Sequence, residues 1–246
     1  MISQLSPSGN AFEMDRIEAL EATLAAIESR LDALTTSIGE RHDQEAPKTE
    51  GTREKPTGVV LKAGDNATAD RLRAELSAKG VSGTFILAPK HYYDEPLEFR
   101  RKVLGASSVD ALCKSIIMEN TRIDDEACRA DPSLIKYWLV IVQYACPGAK
   151  KELLNKCVHA RQPSLSKKEV NMRVVAEDLS LELSGFGKNG VSPVGMKTPL
   201  PIILAQAIAD IEDRVFWMGG GEVDLKLGMT VDDFVQAYDP VITKLY

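Results

Sequence analysis

The chain has 246 residues, 44% of them hydrophobic and 27% charged, a composition that supports a folded core. The formal charge of −6 is uneven: residues 1–55 carry a net −5 and the rest a net −1, so nucleic-acid binding by the body requires a local basic stripe. Cys113, Cys128, Cys146 and Cys157 form no C-x-x-C pair and the three histidines are scattered, which argues against a zinc site and leaves no metal or cofactor indicated.

The opening residues lack the basic start and apolar centre of a secretory signal. The longest apolar run, YWLVIVQYAC (137–146), is too short to span a bilayer as a helix. A cytoplasmic protein with free thiols is expected. Ile17, Leu20, Leu24, Ile27, Leu31, Leu34 and Ile38 recur at alternating intervals of three and four, the a/d stripe of a heptad helix over residues 1–41. Such a stripe suits a coiled coil with itself or another protein, or packing on the chain's own body. Residues 42–57 are polar, with prolines and a glycine, and read as a flexible linker. A body of 58–246 follows.

Within the body, Val59–Lys62 reads as a short strand. Asn66 or Thr68 caps a helix that ends at Gly80. Thr84–Leu87 is a strand, and a helix follows Pro96. Residues 108–120 begin with a helix-like cap and run into a β-branched stretch. Tyr137–Ala145 is a buried strand stopped by Pro147 and Gly148. Helices are expected at 149–160, 167–171 and 177–185, with a strand at 172–176. PLPIIL (199–204) is a strand whose prolines suit its first residues or an edge. FWMGGGEVDLKLGM (216–229) contains another strand, and TVDDFVQAY is a capped closing helix. The expectation is a mixed α/β domain with a single central, largely antiparallel, curved or barrel-like sheet flanked by helices.

No phosphate-loop, nucleophile-elbow or dinucleotide motif is present. Three features stand out instead. Four glycines and Pro193 crowd residues 185–195, so either the chain turns an awkward corner or its backbone approaches a ligand. Lys114 in ALCKSIIM is flanked by apolar residues, and it either snorkels to water or projects a cation into a pocket. Residues 150–173 carry a local net +5. They form a solvated face or a track for a phosphate backbone, the candidates being Lys150, Lys151, Lys156, Lys167, Lys168 and Arg173.

Taken together, ALCKSIIM, NGVSPVGM (189–196) and WMGGGEVDLKL (217–227) resemble the YbaK/prolyl-tRNA-synthetase-associated editing domains, a family of aminoacyl-tRNA deacylases, over about residues 85–235. HYYDEPLEFRRKVLG and CKSIIMEN look most like its longer eukaryotic branch. The family's G-x-x-x-P loop opens here with Asn189, a residue that tolerates left-handed backbone angles. The resemblance implies hydrolysis of the ester on a mischarged tRNA carrying an alanine-, serine-, threonine- or cysteine-sized residue, with water attacking and the terminal ribose assisting.

It implies Lys114, Asn189, Gly190 and Ser192 as catalytic. Tyr92, Tyr93, Pro193, Gly195, Gly219, Gly220 and Gly221 are then the substrate-binding residues, with the tyrosines equally readable as core. The partners implied are the acceptor end of aminoacyl-tRNA and, through residues 17–38, a second copy or a synthetase complex. The competing expectation is a weak or inactive tRNA-binding scaffold subunit of such a complex.

Overall fold

The computed structural model describes residues 55–146 and 148–246, so the heptad arm and most of the linker lie outside the described residues. The described chain is already anchored at Thr57 and Gly58, whose N–H groups donate to the carbonyls of Lys102 and Val103.

The strands form two sheets. The first has the order β1 (Val59–Val60), β2 (Thr84–Leu87), β8 (Leu225–Thr230), β7 (Val215–Gly219), and every pair is antiparallel. The second has the order β5 (Met172–Val174), β3 (Cys113–Asn120), β4 (Tyr137–Gln143), β6 (Ile202–Ala205), β9 (Val241–Thr243). Its β5–β3–β4 part is antiparallel and its β4–β6–β9 part is parallel. The expected single barrel-like sheet is therefore corrected: among the described residues no closed barrel forms, and a parallel bridge between Leu112 and Trp217 joins the two sheets. Local pattern announces strands, but which edges meet depends on contacts between residues about a hundred positions apart.

The helices are α1 (Ala67–Ala78), α2 (Leu97–Leu104), α3 (Asp125–Ala130), α4 (Lys151–Arg161), α5 (Glu177–Ser184), α6 (Gln206–Ala209) and α7 (Val231–Tyr238). Among the described residues none is long and apolar enough to cross a membrane. Asn66 is the cap of α1, accepting from the Ala69 N–H at 2.8 Å, and Thr230 caps α7 through the Asp233 N–H at 3.0 Å. Val109–Ala111 is a 3-10 turn feeding β3, and Lys167–Glu169 is another, closed by a Ser166–Glu169 capping box.

The stretch 216–229 holds two strands and the turn between them rather than one strand. Pro199 and Pro201 precede β6, which lies between β4 and β9 and is not an edge. Within β4 the stretch 139–142 is buried on both faces, with Leu139 and Ile141 at 0% exposure on one and Val140 and Val142 at 2% and 1% on the other. That is why it reads as an unbroken apolar run rather than an alternating one.

Candidate active site

The Leu112–Trp217 bridge runs parallel, so two residues further on Lys114 at the start of β3 lies level with Gly219 at the end of β7. At this junction of the sheets is a cavity of about 190 Å³. Lys114, Ser115, Tyr144, Tyr93, Asn189 and Gly219 line it, together with Cys113, Ile116 and Val191, and no carboxylate does. Lys114 is half-buried, with its Nζ 5.6 Å from the centre of the Tyr144 ring. An ammonium over an aromatic face is held by the ring quadrupole and keeps its charge available to the cavity. Ser115 Oγ is buried and has no hydrogen-bond partner among the described residues. An unpaired buried hydroxyl costs free energy.

Asn189 stands at φ +64°, the left-handed conformation its residue type tolerates. It is exposed, and its carbonyl accepts from Tyr93 Oη at 2.9 Å. Gly190 has no such backbone angle. Its bareness serves close packing: the Gly221 N–H donates to its carbonyl at 2.9 Å, and an added Cβ would lie 3.1 Å from the Gly221 backbone. A Cβ on Gly219 would sit 2.4 Å from the Val191 carbonyl oxygen. The two glycine-rich bends are therefore pressed backbone to backbone. Side chains are excluded there first by protein, and the cavity opens beside that contact.

The other expected residues take different places. Gly220 and Gly221 pack on Leu225, Thr68 and Phe186. Ser192 is fully buried and its Oγ accepts from the Val194 N–H at 3.2 Å. Pro193 is buried beside it, and Gly195 packs on α1, accepting from Arg71. None of these five lines the cavity. Tyr92 is buried against a second, water-sized space of about 10 Å³, shared with Tyr93, Trp217 and Lys226. Arg100 of α2 lies 5.3–5.6 Å from the ring centres of Tyr92, Tyr93 and Tyr144 and fixes this aromatic group. Burial pushes both Tyr92 and Tyr93 well above the ordinary phenol range, so they remain neutral hydroxyls.

Lys150, Lys151 and Lys156 are exposed at and along α4. Lys167 and Lys168 are exposed on the second 3-10 turn, and Arg173 on β5.

Sequence reading missed Ser115 and Tyr144 in the cavity wall and, behind it, Lys226 on β8. Lys226 is the most unusual of the three. It is 3% exposed, and its ammonium donates to Tyr93 Oη at 3.0 Å and to the Val223 carbonyl. Its position between Leu225 and Leu227 carried the same signal that marked Lys114.

The fold and site together define a mixed α/β domain with a small cationic cavity where two sheets meet. No protein-family model matches the sequence, and no match was found among curated proteins. Solved structures do share the fold. A candidate trans-editing enzyme for prolyl tRNA synthetase superposes with a TM-score of 0.57 at 18% identity, over 73% of this chain and 97% of its own. A scaffold protein carrying a computationally grafted epitope gives 0.53 at 16% identity over 73% and 97%, and the hypothetical protein APE2540 gives 0.52 at 13% over 71% and 98%. At these identities the likeness shows a common fold.

Proposed function

We propose that the protein is an aminoacyl-tRNA deacylase, hydrolysing the ester that joins a small amino acid of the alanine, serine, threonine or cysteine class to the wrong tRNA. The observation that carries this reading is the meeting of Lys114, Asn189 and Gly219, remote in sequence, around one cavity. The fold shared with a candidate trans-editing enzyme for prolyl tRNA synthetase supports it.

An aminoacyl ester is already activated, so hydrolysis needs a placed water and a stabilised oxyanion rather than a protein nucleophile. In this reading Lys114 supplies the positive charge at the 3′ end or the ester. The Asn189 loop walls the acyl group, and the terminal ribose hydroxyl of the tRNA assists the water. A cavity of about 190 Å³ is smaller than the roughly 300 Å³ at which ligand pockets usually begin, which favours a small acyl group. Lys150, Lys151, Lys156, Lys167, Lys168 and Arg173 are the proposed contacts to the phosphate backbone. The heptad segment at 17–38 is the proposed tether, to itself or to a synthetase assembly in the cytoplasm, where it would raise the local enzyme concentration.

The test is release of amino acid from a panel of tRNAs charged with alanine, serine, threonine, cysteine and, as controls, larger residues. Release of one or more small residues is expected. If every ester survives as long with the protein as in buffer alone, the reading fails.

A further inference from the structure

Lys226 is buried with no carboxylate in direct hydrogen bond to it, an arrangement that a core lysine rarely adopts without a task. It heads a chain of hydrogen bonds that ends at the cavity. Its Nζ donates to Tyr93 Oη at 3.0 Å, and Tyr93 Oη donates to the Asn189 carbonyl at 2.9 Å. Asn189 is the left-handed residue of the loop that walls the cavity.

The direction of this chain depends on charge. An ammonium has donors and no lone pair, so it can only give to Tyr93. The phenol's single proton is then directed away from the amine, to the Asn189 carbonyl at 2.9 Å, with the Tyr144 hydroxyl as its neighbouring alternative. A neutral amine has a lone pair that competes for that proton, and Tyr93 can turn from the loop to the amine. We propose that Lys226 is a positioning residue for the cavity, its charged form aiming the Tyr93 hydroxyl at Asn189 and holding the loop in place.

The surroundings make this charge labile. Tyr92 and Tyr93 face the amine from the loop before α2, at 5.1 and 4.6 Å from ring centre to Nζ, and Arg100 faces it from α2. Cys113 from β3 and Tyr144 from the end of β4 line the same small space. Asp224, in the turn before β8, is the acidic neighbour. Burial is the main effect and lowers the amine; Asp224 opposes it, Arg100 adds to it, and the balance lies at about 7. The hydrogen-bond chain is therefore set below neutral pH and released above it.

The catalytic part of this inference rests on the deacylase reading; the structural part does not, and the experiment separates them. The backbone 15N resonance of Gly190, whose nitrogen is bonded to the Asn189 carbonyl carbon, is followed from pH 5.5 to 8.5 in the free protein. It is expected to titrate with a midpoint of about 7 in the wild type and to stop doing so in K226M and in Y93F. H91Q controls for the imidazole on the same loop and should leave the titration in place. Y93F keeps the ring and carries the test if K226M does not fold.

A resonance that stays still in the wild type, or that titrates alike in Y93F, overturns the proposal. With a deacylation substrate in hand, the kcat/KM of wild type relative to Y93F should fall between pH 6 and 8, by about tenfold at most, the limit of a single-proton limb at neutrality, and level off toward the Y93F value. A flat ratio rules out the catalytic consequence. Absence of any deacylation, with the Gly190 titration intact, refutes the function and leaves the hydrogen-bond chain standing.

Discussion

Lys114 rests on the ring of Tyr144 and Lys226 on those of Tyr92 and Tyr93, and the two are held in different ways. Lys114 is half-buried, faces a cavity and rests on one aromatic ring. Lys226 is sealed in, with its donors spent on Tyr93 and on a backbone carbonyl. The first can meet a ligand and the second can only act through a neighbour. The difference is one of access, since both follow an apolar residue on a strand and precede another within two positions. Desolvation makes the sealed cation costly.

The largest expected effect separates the two roles. Lys114→Ala should lower deacylation kcat/KM by about 100-fold or more, the scale of losing one charged stabiliser at a developing oxyanion. Its melting temperature should stay close to wild type, because the site is already open to solvent. Full activity in the folded variant would remove Lys114 from the site.

The contact between the glycine bends comes next. Gly219→Ala forces a Cβ to 2.4 Å from the Val191 carbonyl and should destabilise the fold by about 1–3 kcal/mol in urea. Gly187, with open space around it and no left-handed backbone angle, is the control: its alanine variant should lie within about 0.5 kcal/mol of wild type. Equal effects at the two positions would mean that the bends are not in contact.

Lys226 should also leave a mark on stability. Its folded value of about 7 is below the unfolded lysine value, so between these pH values the unfolded chain binds more protons and stability rises with pH. From pH 6.5 to 8, wild-type unfolding free energy should climb relative to Lys226→Met. A parallel pair of curves would place the amine in contact with water.

The smallest effect tests the far end of the strand that carries Lys226. Thr230→Ala removes the α7 cap and should cost about 1 kcal/mol without changing activity.

Much of the secondary structure was legible from the chain alone. The stretches at 67–78, 84–87, 137–143, 177–184 and 231–238 carry caps, closing glycines or β-branched runs, and these local signals act within a few residues. Helix α3, helix α6 and strand β9 were not foreseen. They span six, four and three residues, too few for a period to show, and β9 exists because β6 offers it a parallel partner. In the candidate site, Lys114 was legible as a cation among apolar neighbours, and Asn189 as a residue fit for a left-handed turn. Ser115 and Lys226 were not picked out. An unpaired hydroxyl and a buried amine are defined by what surrounds them in space.

By itself, then, the sequence determined where most of the longer helices and strands lie and which loop must bend sharply, because caps, glycines and hydrophobic period are properties of neighbours along the chain. The tertiary structure alone decided that there are two sheets, that Leu112 meets Trp217, and that the glycine bends press on each other beside a cavity. Those outcomes come from long-range pairing and backbone contact, which no local pattern records.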